Sequence, residues 1–175
     1  MIVGVFMTWP KDTPETLEAF YGPLVLGASG RPTIKWEREH LSSFATPYPL
    51  ALSWDPAKKV SRITCHTKVA DSLARILKAI LALYETQDTI VKARMHLYGG
   101  CYCFRPSRGS NRLSVHAYGA TVDLDPEANP MGKPYDPAAG MMPQPVIDIF
   151  KKEGWTWGGD FKNRPDCMHF QAASA

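Results

Sequence analysis

The chain has 175 residues, 45% of them hydrophobic, with 20 Lys and Arg against 17 Asp and Glu for a formal charge of +3. Such a length and apolar content fit one domain with its own core, residues 1–175, and exclude a disordered or fibrous chain. The basic residues are scattered and form no runs, which argues against a dedicated nucleic-acid binder and is compatible with an anionic polymer.

The opening segment MIVGVFMTWPK has neither a basic residue ahead of its apolar stretch nor a small-residue cleavage site. It reads as a first strand or a buried segment, not as a secretory signal. No run approaches the roughly 18 apolar residues of a membrane helix. The expectation is synthesis in the cytoplasm, no membrane insertion, and release by another agent if the protein acts outside. In DTPETLEAFYG, Thr13 is a candidate N-cap, Pro14 takes the first helical position and Gly22 is the stop, with Phe20 and Tyr21 docking the helix. TIKWEREHLSSF has period-two features and reads as a strand, and YPLALSW, between prolines, as a connector. KVSRITC alternates like a strand. Val69, Leu73, Ile76, Leu77, Ile80, Leu83 and Tyr84 recur at helical spacing and predict a long central helix.

GGCYCFRP, Gly99 to Pro106, reads as a strand bounded by glycine and proline, and RPSRGSNR as a loop. The Pro- and Gly-rich run DPEANPMGKPYDPAAGMMPQP is the longest irregular stretch, of a kind that in a compact domain is functional or mobile. PVIDIFKKEG predicts a last helix with Val146, Ile149 and Phe150 on one face and Gly154 as its stop. WTWGGDF and CMHFQA read as short strands around a loop. The sum is an α+β domain, an antiparallel sheet backed by the Val69–Tyr84 helix and flanked by smaller helices. Cys65, Cys101, Cys103 and Cys167 form no CxxC pair and read as reduced thiols. A zinc site on Cys101 and Cys103 would have an uncommon spacing.

Of the five histidines, His40, His66 and His96 have no carboxylate or histidine at a useful local spacing. His116 lies in SVHAYGATVDLD, where Ser114 can cap a short helical turn, Gly119 lets the chain reverse, and ATVDL leaves as a strand. Seven extended residues would hold His116 and Asp123 roughly 24 Å apart, so the two meet only if the chain folds back near Gly119. His169 lies in DCMHFQ; on an extended segment Met168 and Phe170 face the core while Cys167 and His169 face away. Asp166 reaches the side of His169 only through a turn or bulge; otherwise the two form no more than a surface hydrogen bond. Two imidazoles and one carboxylate make three zinc ligands and leave a fourth position open, as in catalytic sites. An uncoordinated carboxylate is then needed to move the water's proton to a leaving amine, and Asp166 fills that place.

At these residues the chain resembles the zinc D-Ala-D-Ala carboxypeptidases and L-Ala-D-Glu endopeptidases of bacteria and phages, the family with the Hedgehog/DD-peptidase fold. The family pattern, Ser-x-His-x-x-Gly-x-Ala-x-Asp followed later by Asp-x-x-His, is met by Ser114, His116, Gly119 and Asp123, then by Asp166 and His169. WGGDF ahead of the second half is similar too, and the likeness runs from about Gly99 to Gln171. Thr121 departs from the pattern, standing where the family usually has alanine, and Cys167 is an added thiol between base and ligand, a competing soft ligand or an oxidation point.

The resemblance implies one zinc ion on His116, Asp123 and His169, with Asp166 as general base. It also implies an arginine gripping a substrate carboxylate; Arg105 is the choice, as the end of a strand, with Arg108 and Arg112 as loop alternatives. Ser114 either hydrogen-bonds substrate or orients the turn. The implied protein is a monomeric, phage endolysin-like peptidase of bacterial peptidoglycan, acting in the cell envelope and cutting L-Ala-D-Glu. The alternatives are a D-Ala-D-Ala carboxypeptidase and an inactive zinc-bearing binding module.

Overall fold

The computed structural model describes residues 8–175; the expectation for the N-terminal apolar stretch falls on Met1 to Met7, outside them. Helix α1 spans Pro14–Tyr21, with the Thr13 side chain accepting from Thr16 N and Gly22 at its C-terminus. Tyr21 is buried and donates its hydroxyl to Ala172 O at 2.5 Å, fixing the helix to the C-terminal end of the chain.

TIKWEREHLSSF is not one strand, as its alternation predicts, but a helix and the start of a strand. Helix α2 covers Ile34–His40, and strand β1 follows at once over Leu41–Leu52. Local chemistry wins over the mixed alternation: the Thr33 side chain caps Trp36 N, and Arg38 and His40 fall in the last turn, suiting the helix dipole. Trp36 is buried with the His40 ring stacked on it, centroids 4.6 Å apart. The YPLALSW connector is in fact the second half of β1. Pro47 and Pro49 sit at a register shift between Ala45 and Leu50, so their missing N–H groups cost the ladder little.

Strand β2 (Asp55–His66) returns antiparallel to β1, and helix α3 (Thr67–Tyr84) follows it. Val69, Leu73, Ile76, Leu77 and Ile80 are fully buried, as the helical period predicts, while Leu83, in the last turn, is exposed. Helix α4 (Gln87–Lys92), unexpected from the sequence, leads to strand β3 (Leu97–Gly100). Strand β3 starts and ends earlier than GGCYCFRP suggests: Gly100, at φ +118°, turns the chain out of the sheet, so Arg105 does not end a strand.

Strands β4 (Thr121–Leu124), β5 (Thr156–Trp157) and β6 (His169–Gln171), with helix α5 (Gln144–Lys152), complete the fold. The six-stranded sheet has the order β2-β1-β3-β4-β6-β5 and is mixed, not antiparallel throughout: Ala51 and Leu52 pair in parallel with Leu97 and Tyr98. The parallel pair arises because the route from β2 back to the sheet runs through α3 and α4, a helical crossover. In α5 the buried face is Val146, Ile147 and Phe150, with Ile149 only partly covered. Glu153, just beyond α5, bonds Ser72 and Arg75 of α3, while Trp155 Nε1 donates to Ser72 Oγ. Among the described residues, no helix is long and apolar enough to cross a membrane.

His66 is 1% exposed and joins three elements. Its Nδ1 accepts from Lys68 N at the start of α3, so Nε2 carries the proton and donates to Tyr21 O at 2.8 Å. Burial pushes this imidazole down to about 4, against the pull of the Tyr21 carbonyl. An unfolded histidine titrates near 6.5, so between those values the unfolded chain binds the extra proton. The stabilisation is whole above pH 6.5 and is lost as pH falls to 4, by about 3 kcal/mol. Denaturation midpoints measured from pH 7 to 4 should therefore fall more steeply for the wild type than for His66→Gln; equal slopes would refute this.

Candidate metal centre

The first half of the site is built by local capping. Ser114 Oγ accepts from His116 N, opening a 3-10 turn over Val115–Tyr118, and Gly119 closes it at φ +69°. A β-carbon at Gly119 would also lie 2.9 Å from His66 N, so the position is closed to other residues by both conformation and space. The chain reverses there, as the spacing of His116 and Asp123 requires, and enters β4.

The second half arrives by strand pairing. In the antiparallel β4–β6 register Asp123 lies opposite His169, which sets the two side chains beside one another. Asp123 Oδ1 is 3.0 Å from His169 Nδ1, and Asp123 Oδ2 is 3.3 Å from His116 Nε2. One donor atom from each of the three residues lies within 4.8 Å of the other two. All three are buried or nearly so, with Asp123 at 9% exposure.

The outer hydrogen bonds select the tautomers. His116 Nδ1 is 2.7 Å from Cys101 O, which can only accept, and 2.7 Å from Thr121 Oγ1. The proton is therefore on Nδ1, and the Nε2 lone pair faces Asp123; among the described residues that nitrogen has no hydrogen-bond partner. Gln171 donates through Nε2 to Asp12 Oδ2 and Ala173 O, which turns its Oε1 toward His169 Nε2 at 3.0 Å. His169 then carries its proton on Nε2 and turns the Nδ1 lone pair to Asp123. Two imidazole lone pairs converging on a carboxylate repel unless a cation lies between them, and the nitrogen–oxygen donor set fits a divalent metal. Burial opposes the charge on Asp123, but positive charge at His116 and His169, the place a bound cation takes once their lone pairs turn inward, outweighs it and holds the carboxyl below the usual carboxylate range.

Gln171, Asp12 and Thr121 belong to this arrangement, and no motif points to them. Thr121 gives a hydroxyl to His116 where alanine would offer none. Gln171→Leu should weaken metal binding by about 10- to 100-fold, because His169 loses the acceptor that sets its tautomer. Competition against a chelator of known affinity measures this; an unchanged affinity would show that Gln171 does not orient the ring.

Asp166 reaches the same side through the turn that the sequence required. His169 N donates to Asp166 O at 3.0 Å, and Asp166 N to Gly158 O at 2.8 Å. A β-carbon on Gly158 would meet Asp166 O, which gives WGGDF its part: glycine lets the two segments touch. Asp166 is 7% exposed, makes no side-chain bond with His169, and leaves Oδ1 without a partner among the described residues, so the surface hydrogen bond is not what forms. Burial raises its carboxyl to about 6. The turn also overturns the extended reading of the segment. Cys167 is fully buried in the core, its thiol raised to about 11 by burial, and is outside the metal-ligand group.

A cleft of about 160 Å³ opens on His116, His169 and Asp166, with Ser114 and Arg105 in its wall. Arg105 reaches it although no strand ends there, because residues 106–113 form a hairpin in which Ser114 N bonds Arg105 O and Ser107 N bonds Arg112 O. Arg108 lines the cleft too, and so does Arg164, which the motifs did not single out. Arg112 is removed as an alternative: its guanidinium pairs with Asp12 and does not line the cleft.

No curated protein and no solved structure matches the chain. Over residues 108–172, the span that holds Ser114, His116, Asp123, Asp166 and His169, the chain matches a family model described as D-alanyl-D-alanine carboxypeptidase.

Proposed function

We propose that the protein is a zinc-dependent peptidase of bacterial peptidoglycan that hydrolyses a stem-peptide amide bond, L-Ala-D-Glu, in the cell envelope. The observation that carries this reading is a buried, uncoordinated Asp166 in the same cleft as a three-donor metal cluster. His116 Nε2, His169 Nδ1 and an Asp123 oxygen would hold the ion. Zinc on three protein ligands supplies Lewis-acid polarisation of a carbonyl and a lowered water pKa. Asp166, raised toward neutrality by burial, takes a proton from the attacking water and returns it to the leaving amine. Arg105, beside Ser114 in the cleft wall, offers a planar fork for a substrate carboxylate. Ser114 already accepts from His116 N, so its turn-setting role and a hydrogen bond to substrate can coexist.

A second reading, a D-Ala-D-Ala carboxypeptidase, is favoured by the description of the matching family model. Digesting purified sacculi and identifying the new termini separates the two. The endopeptidase exposes D-Glu amino groups; release of free D-Ala without them would overturn that specificity in favour of the carboxypeptidase. Sacculi that yield neither new D-Glu amino groups nor free D-Ala would overturn both.

A further inference from the structure

The cleft holds more positive charge than one substrate carboxylate needs. Arg105, Arg108 and Arg164 all line it. Arg105 is committed only to Pro106 O, at 3.3 Å, and neither Arg108 nor Arg164 makes a hydrogen bond or ion pair among the described residues. Of the carboxylates near them two are already used: Asp12 is held by Arg112 and Gln171, and Asp123 by the two histidines. Elsewhere in the fold, arginines beside acids are paired, as Arg75 is with Glu153 and Arg94 with Asp125. Among the described residues Asp166 is the one cleft carboxylate left without a partner, so three guanidinium groups that line one small cleft outnumber the anions free to neutralise them and form an anion-binding wall.

The wall has two sides. Arg105 and Arg108 come from the 106–113 hairpin and its base, whereas Arg164 comes from the loop ahead of Asp166. The Arg164 side chain lies across to the hairpin: a β-carbon on Gly109 would be 3.8 Å from its Nη1, and one on Gly132 would be 3.9 Å from its Nε. Both neighbours are glycines, so no side chain from either position covers the guanidinium. Arg108 stands close enough to Asp166 to favour its charged form. Arg108 and Arg164 thus both line the cleft that holds Asp166, where the leaving amine must receive its proton.

We propose that Arg164, with Arg108, forms a second carboxylate subsite, distinct from Arg105, which selects substrates whose leaving fragment carries two carboxylates. The proposal rests on the peptidase reading and deepens it: the first carboxylate is that of D-Glu, and the second belongs to the residue after it. A leaving fragment with a single carboxylate leaves this subsite unfilled.

The test uses the zinc-loaded full chain and two synthetic, C-terminally amidated L-Ala-γ-D-Glu peptides whose third residue bears either a side-chain carboxylate or the matching carboxamide. The wild type should prefer the carboxylate peptide in kcat/KM by about tenfold or more, the scale of a charge-assisted hydrogen bond. R164Q should collapse that ratio toward one, and Arg164→Lys should restore part of it. Calorimetric binding of the two leaving fragments, prepared as free products, should show the same preference and the same loss. Equal kcat/KM for both peptides in the wild type, or a ratio unchanged in R164Q, would overturn the subsite. If neither peptide is cleaved, the peptidase reading fails, and the product-binding preference alone decides the subsite: its presence in the wild type and loss in R164Q upholds it, and equal binding refutes it.

Discussion

Asp166→Asn is expected to lower kcat/KM on a stem peptide by about a hundred- to ten-thousand-fold, the range of a lost general base, while the metal stays bound. Asparagine keeps the shape of the side chain and the backbone bonds from Asp166 N to Gly158 O and from His169 N to Asp166 O, so the turn survives. It removes the proton acceptor and nothing from the His116, Asp123 and His169 set. Parallel metal analysis and kinetics of the purified variant read the two consequences separately. Activity that survives would eliminate Asp166 as base. A metal-bearing wild type without hydrolytic activity would favour the binding-module alternative, in which an uncoordinated carboxylate beside the metal has no task.

His169→Ala is expected to lose metal and activity together, with bound metal falling from about one ion per chain toward zero. Two donors remain, and Asp123 keeps only one of the imidazoles that sustain its buried charge. Metal content of the variant, set beside the wild type and His116→Ala, all purified without added zinc, measures this; full retention of the ion would refute the ligand assignment. Point variants are the cleaner probe, because truncation after Met168 would do more than delete a ligand. Strand β6 lies between β4 and β5, Phe170 stacks on Phe150 with centroids 3.8 Å apart, and Ala172 O receives the Tyr21 hydroxyl. Removing the last seven residues should therefore unfold the sheet itself, seen as loss of a cooperative thermal transition.

Much of the site is legible from residue spacing because its first half is local. The Ser114 cap, the 3-10 turn and the left-handed Gly119 are bonds between residues two to four apart, encoded within SVHAYG. The same holds for α1 and α3, where a cap and a helical period suffice. Strand β1 escapes such a reading for the opposite reason: its prolines mark a connector until one knows that a register shift against β2 spares their missing N–H groups.

The order of residues along the chain sets the chemistry available: two histidines, an aspartate and a second aspartate in a two-part pattern, with a glycine where the chain must turn. How these groups meet is a property of the folded molecule. Asp123 and His169 are 46 positions apart, and a single strand register makes them neighbours. Arg112 is set aside by Asp12, 100 positions away, while Arg164, outside every motif, comes to the cleft by the folding of its loop. Caps and turns are selected by bonds between residues two to four apart. Register and the pairing of charges depend on which distant segments the core brings into contact, and spacing along the chain carries no trace of that choice.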